Sequence, residues 1–345
     1  MMPKVSVIMT VYNCEKYLAQ AIESIITQTF TDFEFIIISE YGSNQETQQI
    51  ISNYAQKDDR IIVINNTSRL GIAASLNIGM RCAKGEYLAR MDGDDISLPK
   101  RLAVQVEYMD HNKETSICGC RVLYIDGNGK ELYYKDNLSA DPKQIKADLL
   151  FFCFIHHPSV IFRKSAVIEH GLYYDETYNS SEDHELWIRA SQVVKIAVVP
   201  DVLLKYRWHM GSAFHTGGDQ QQDNCLWIMR GNMENLQIPV SDDELSYLQR
   251  TTCRESFRNH RKIEKTLNSF YTSILSKNNE LMIYDEDSLR RTLAKRMYWK
   301  RHKIRRWAVV FLKSMANALS KERLFYVAIY LELNGFSAAL KRAFR

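Results

Sequence analysis

The run Phe33 to Ser39, FEFIIIS, is apolar at almost every position, so it does not show the alternation of a strand with one face in water. Such a run fits a strand buried on both faces, which in a soluble protein means a parallel sheet flanked by helices. Its surroundings agree. Lys4 to Val11 reads as a preceding strand, and Glu15 to Gln28 places Leu18, Ala21, Ile22, Ile25 and Ile26 at helical spacing, with Asn13 as the expected N-cap. Ile50 to Ala55 predicts a helix, Arg60 to Ile64 a strand, Ala73 to Cys82 a helix and Glu86 to Met91 a fourth strand. Alternating strands and helices predict a doubly wound α/β sheet with right-handed crossovers, which binds ligands beyond the carboxyl ends of its strands.

After Ile117 the pattern changes. Ile117 to Ile125 and Glu131 to Tyr134 flank Asp126-Gly127-Asn128-Gly129 as in a hairpin. Pro158 to Arg163 and Ile196 to Val199 predict further strands around a helix at Glu182 to Ser191. Beyond about residue 222 helical patterns dominate, so the expected division is a catalytic domain over 1–222 and a helical region over 223–345.

The fourth predicted strand runs into Asp92-Gly93-Asp94-Asp95. Carboxylates clustered after a buried strand can hold a divalent cation and leave positions open for substrate phosphates. Asp-Gly-Asp also makes a good solvated turn, so the cluster alone decides little. Other motifs accompany it in order. Val5 to Asn13, Ser68 to Gly79, Gly85 to Asp95, Glu182 to Trp187 and Tyr206-Arg207-Trp208-His209 together resemble the family 2 glycosyltransferases. The resemblance spans about residues 4 to 215. It implies a GT-A fold, a doubly wound mixed sheet with a Rossmann-like nucleotide-binding half.

The resemblance further implies that Asp94 coordinates Mn²⁺ or Mg²⁺, that Asp92 helps bind ribose and metal, and that Asp183 is the general base. It implies an inverting transfer from a nucleotide-diphosphate sugar, a UDP-sugar being expected, to a hydroxyl of a glycan or lipid-linked saccharide. The enzyme would be a hexosyl- or hexosaminyltransferase of cell-surface polysaccharide biosynthesis. Thr10, Tyr12 and Arg69 become nucleotide-sugar contacts, and His209 would approach the metal or diphosphate. Where the family has Asp-Asp-Gly-Ser after the second strand, this chain reads Glu40-Tyr41-Gly42-Ser43, leaving Glu40 as the carboxylate expected at the base and Tyr41 able to stack on it. His156-His157-Pro158 is expected to border the acceptor site. Asp183 opens its predicted helix, where the dipole favours the ionised acid and burial opposes it.

Other chemistries lack their signatures. No Gly-x-Gly-x-x-Gly follows a strand, no Gly-x-x-x-x-Gly-Lys occurs, and His184-Glu185 is followed by Ile188 where a zinc-protease helix needs histidine. A nucleotidyltransferase would want a basic, Gly-rich triphosphate loop near the N-terminus. An inactive nucleotide-sugar-binding scaffold of the same fold is the other alternative, against which Asp92, Asp94 and Asp183 occur together.

Net charge over the 345 residues is +4, but residues 289 to 345 carry 15 Lys/Arg against Glu322 and Glu332, leaving 30 basic and 39 acidic residues before them. Arg290 to Arg306 interleaves Met297, Tyr298 and Trp299, followed by Trp307, Phe311 and Met315 at helical spacing. This predicts a basic amphipathic helix suited to an anionic membrane surface, or a helical cap on the catalytic domain. Nucleic acid is not an expected partner, since no recognition motif accompanies the charge. The seven cysteines lack disulfide or zinc spacing, the N-terminus reads as a strand rather than a signal peptide, and no apolar stretch reaches the about 20 residues of a membrane span. The expected location is cytoplasmic, peripheral on the inner or plasma membrane.

Overall fold

The computed structural model describes residues 2–134, 138–178, 180–209, 218–242, 244–245 and 260–295. The first compact unit is Met1–Ile228 and the second Met229–Arg345. In the first, β1 (Val5–Val11), α1 (Glu15–Ile26), β2 (Phe33–Ser39), α2 (Gln45–Ala55), β3 (Ile61–Asn65), α3 (Ile72–Cys82) and β4 (Tyr87–Asp92) alternate as expected. A short β5 (Ile96–Ser97) and α4 (Arg101–His111) lead to β6 (Thr115–Ile125), β7 (Glu131–Tyr134) and α5 (Pro142–Asp148). Then come a turn of 3₁₀ helix at His157–Ser159, β8 (Ile161–Arg163), α6 (Lys164–His170), α7 (Glu182–Val193) and the long β9 (Lys195–Arg207).

The strands form one mixed sheet in the order β3-β2-β1-β4-β8-β6-β9-β5, with β7 on β6. β1, β2, β3 and β4 are mutually parallel. β8 is antiparallel to both β4 and β6, so β6, and β9 parallel to it, point the same way as β4. Six strands therefore end at one edge. This is the GT-A arrangement of a mixed α/β sheet.

Successive residues of the central strands feed two cores, one on each face. Val5, Val7, Met9, Phe35 and Ile37 pack with α1, α2 and α4 residues such as Leu18, Ile22, Ile51, Leu102 and Met109. Ile8, Ile36 and Ile38 pack on the other face with Leu76, Met80, Leu186 and Trp187. Each such fully buried aliphatic chain contributes about 1.5–3 kcal/mol. α3 lies close to the sheet because Gly79 has no side chain: a Cβ there would come within 2.5 Å of Ile8 Cγ2 and 2.9 Å of Ile38 Cδ1.

Two local expectations are corrected. Asn13 does not cap α1, whose N-cap is Cys14 with no side-chain hydrogen bond. Asn13 instead takes a left-handed conformation, φ 46°, and its Oδ1 accepts from the Asn44 N–H at 2.8 Å. Asn44 is the residue that caps a helix, accepting from Thr47 N–H at the start of α2. The second difference is α4, absent from the expected element order. Its inward face carries Arg101 and Gln105, each 0% exposed. Arg101 donates to the carbonyls of Arg90 and Val160, and Gln105 to those of Cys118 and Ser159, so polar groups share the inward face with the apolar residues Leu102, Val106 and Met109.

In the second unit, helix His260–Leu281 places Phe270, Tyr271 and Ile274 in a buried position, as are Leu289 and Leu293. Asn278 fixes the following turn by donating to the Tyr284 carbonyl and accepting from the Tyr284 N–H. No helix among the described residues is long and apolar enough to cross a membrane. The basic amphipathic helix expected from about residue 289 lies almost wholly outside the described residues.

Candidate active site

At the shared strand edge a cleft of about 740 Å³ is lined by Thr10, Tyr12, Glu40, Arg69, Asp92, Asp94 and His209 among others. These seven are the sequence-predicted nucleotide-sugar and metal positions, brought together from the ends of β1, β2, β4 and β9 and the loop before α3. Register explains part of this: Thr10 and Asp92 face each other across β1 and β4.

Asp92 is the last residue of β4, and Arg90, two residues earlier, shares its face and forms an ion pair with it. Arg90 is 3% exposed. Asp92, Asp94 and Asp95 can each offer an oxygen within 4.8 Å of the others, a spacing suited to one divalent ion. Burial drives the Asp92 carboxyl above its usual range, with Arg90 opposing and Asp94 adding to the rise. Asp95 is driven well above its usual range by burial and by its two neighbouring aspartates. Its Oδ1 accepts from Arg207 N–H at 2.7 Å, while its buried Oδ2 has no hydrogen-bond partner. Crowded, desolvated carboxylates with an orphaned oxygen fit a cation that would satisfy them. His209 closes the group, its Nε2 lying 2.9 Å from Asp94 Oδ2.

Arg207 organises this loop. Its Nε donates to the Asp94 carbonyl at 2.7 Å, its Nη1 to that of Asp126, its Nη2 to Gln20 Oε1, and its guanidinium lies 4.4 Å over the Tyr17 ring. Arg90, Asp95 and Arg207 were not among the expected site residues. A charge inside an otherwise apolar strand was the available signal for Arg90.

Glu40 is 8% exposed and occupied within the protein. Its Oε1 accepts from the backbone N–H of Tyr41 and Leu70 and from Asn66 Nδ2, and its Oε2 from Gly71 N–H at 2.8 Å and Ser75 Oγ. Burial raises its pKa, but these donors outweigh burial and hold the carboxyl below its usual range. The residue expected to read a nucleobase is engaged in fixing the loop that carries Arg69. Gly71 suits that loop, since its φ of 84° favours glycine. Arg69 is stacked over the Tyr12 ring at 4.5 Å.

Asp183 stands one residue inside α7, after Ser181 in left-handed conformation, φ 71°. Its Oδ1 accepts from the His184 N–H and its Oδ2 lies 3.8 Å from Cys153 Sγ. The contest between helix dipole and burial falls to burial: the Asp183 carboxyl is raised, against opposing contributions from His184, Arg90 and Cys153. Neighbouring Glu182 is pushed up to about 7 by burial and by Asp183. His157, buried and close to Arg90, is held well below its usual range and so is neutral, 2.7 Å from the Tyr174 hydroxyl and 3.6 Å from Glu182 Oε1. His156 pairs with the Tyr124 hydroxyl at 2.7 Å.

A mixed sheet whose parallel strands end at a carboxylate-lined cleft, with an acid at a helix start beyond it, is the arrangement of a GT-A fold. Residues 6–171 match Glycosyl transferase family 2. An uncharacterized glycosyltransferase of Methanocaldococcus jannaschii is 41% identical over 207 residues, 59% of this chain and 71% of that protein. The O-antigen biosynthesis glycosyltransferase WbnJ of Escherichia coli is 33% identical over 212 residues, 59% of this chain and 80% of that one. The chain therefore belongs to glycosyltransferase family 2. Among solved structures, S. aureus TarS 1-349 in complex with UDP-GlcNAc superposes with a TM-score of 0.58 at 17% identity, over 84% of this chain and 90% of that chain. The mannosyltransferase PcManGT from Pyrobaculum calidifontis, in complex with GDP-Man and Mn²⁺, gives 0.53 at 14% identity, over 99% and 86%. Both show the same fold.

Proposed function

We propose that this glycosyltransferase moves a hexosyl or hexosaminyl group from a UDP-sugar to a hydroxyl of a glycan or lipid-linked saccharide, inverting the anomeric carbon. The observation that carries the reading is the pairing of a three-aspartate cluster in the cleft with a separate aspartate, Asp183, whose basicity burial has raised. Asp92, Asp94 and Asp95, with His209 beside them, would hold Mn²⁺ or Mg²⁺. When bound, that ion supplies positive charge against the departing diphosphate. Thr10, Tyr12 and Arg69 line the same cleft and are suited to the nucleotide, with Glu40 acting through the 69–71 loop.

Asp183 takes the proton of the acceptor hydroxyl as that oxygen bonds to the anomeric carbon, and the bond from that carbon to the diphosphate oxygen breaks on the opposite face. A carboxylate that burial has made more basic is better matched to this task near neutral pH. The reading places catalysis in residues 1–222. It assigns the basic segment from about residue 289 to an anionic membrane surface on the cytoplasmic side, where a lipid-linked acceptor would be presented. Relatives such as the O-antigen enzyme support a role in polysaccharide biosynthesis.

A screen of UDP-, GDP- and dTDP-sugars for Mn²⁺-dependent hydrolysis, with product anomers followed by NMR, tests the proposal. Release of UDP with inversion is expected, and no donor turnover with any base would refute it. Liposome flotation with and without anionic lipid tests the membrane assignment, which fails if binding is independent of lipid charge.

A further inference from the structure

Two of the strands that end at the cleft edge, β6 and β9, bring aromatic rather than acidic residues to it. Tyr124 and Tyr206 are direct partners in the β6–β9 ladder, with ring centroids 5.5 Å apart. Trp208 follows β9, anchored by its N–H donating to the Ile125 carbonyl, and its ring lies 6.0 Å from Tyr124. His156 packs edge-on against both tyrosines, at 5.5 Å and 5.1 Å, and shares a 2.7 Å hydrogen bond with the Tyr124 hydroxyl.

The cluster is graded in exposure. Tyr124 is 6% exposed and Trp208 37%, so the indole beside the buried Tyr124 ring keeps part of itself in solvent. Its neighbours in the chain tie it to both acidic centres. His209, the next residue, meets Asp94, and Cys153, three residues before His156, meets Asp183. A substrate lying along these rings would run between the side of Asp94 and the side of Asp183.

We infer that Tyr124, His156, Tyr206 and Trp208 form a stacking platform for a neutral sugar ring of the acceptor. This rests on the glycosyl-transfer reading above and names the acceptor's chemistry. A pyranose presents one face of C–H bonds whose slight positive charge complements the negative face of an aromatic ring.

Methyl glycosides of glucose, galactose, mannose and N-acetylglucosamine are the probes, titrated onto the full chain with and without UDP and Mn²⁺ and followed by saturation-transfer NMR. At least one is expected to bind through the protons of a single ring face. Trp208→Leu, apolar but without a ring, should weaken that binding about tenfold, and Trp208→Phe should retain most of it. Unchanged affinity in Trp208→Leu, equal losses in both variants, or no glycoside binding by the wild type overturns the platform. UDP binding in the same wild-type samples reports separately: its absence counts against the transfer reading, whereas UDP binding with Trp208-independent glycoside binding counts only against the platform.

Discussion

The acidic cluster after β4 and the acidic pair opening α7 are built from the same residue type under the same pressure, and they resolve it differently. Both are desolvated, and burial raises Asp92, Asp95, Glu182 and Asp183 alike. The β4 cluster is held by Arg90 on Asp92, by the Arg207 side chain on the Asp94 carbonyl and its backbone N–H on the Asp95 carboxylate, and by His209 beside Asp94. The α7 pair has a thiol and a neutral histidine for neighbours, and the field of Arg90 reaches it as well. One arrangement is suited to gather a metal, which would relieve the crowding of its three carboxylates, the other to exchange a proton. Carboxylates take separate roles from what is placed beside them.

The largest expected effect tests the α7 side. Asp183→Asn should lower kcat about 10²–10⁴-fold while leaving UDP affinity near the wild-type value, measured by transfer assay and calorimetry. The same residue sets the pH dependence. If Asp183 is the base it must be ionised to act, and with its pKa raised kcat/KM should climb with pH through an apparent pKa above the usual carboxylate range and lose that limb in Asp183→Asn. Asp94→Ala should cost about 10²–10³ in kcat, and here UDP should no longer bind more tightly with Mn²⁺, reversing the pattern on the other side. If both variants lost metal-linked UDP binding equally, the division of labour would collapse.

Stability sharpens the contrast further. Glu182 has a folded pKa of about 7 against an ordinary 4.5, so its protonated form is the one the fold favours. Its stabilising contribution is whole below pH 4.5 and is lost as pH rises through about 7. Glu182→Gln should therefore match the wild type in acid and exceed it by up to about 3 kcal/mol above neutrality in urea titrations. A smaller effect is expected at Glu40. Glu40→Gln exchanges one acceptor oxygen for a donor facing backbone N–H groups, and should loosen the 69–71 loop and weaken UDP about tenfold by calorimetry, with kcat little changed.

How much of this could be read from sequence followed from how locally each feature is determined. FEFIIIS announced β2 because burial on both faces leaves a nearly unbroken apolar run, with Glu34 its one charge, and Asp92, Asp94 and Asp183 stood in recognisable motifs. α4 was not anticipated although Leu102, Val106 and Met109 recur at helical spacing, because Arg101 and Gln105 break the stripe; both face inward, satisfied by carbonyls 11 to 59 residues away. Glu40 was identified as a carboxylate at the cleft, but its donors at Leu70 and Gly71 lie 30 and 31 residues away, beyond any local pattern. Arg207 escaped for the same reason, being 113 residues from the Asp94 carbonyl it holds.

The reach of Arg207 also bears on synthesis. During translation the strands through β4 can assemble by near-neighbour contacts, but the Asp92–Asp95 loop lacks its strap until residue 207 has left the ribosome. Residues 6–171, the segment matched to the family, end before that point. A nascent chain of that length would have the nucleotide half of the sheet with an untethered acidic loop, and competence to gather a cation would arrive late, with β9.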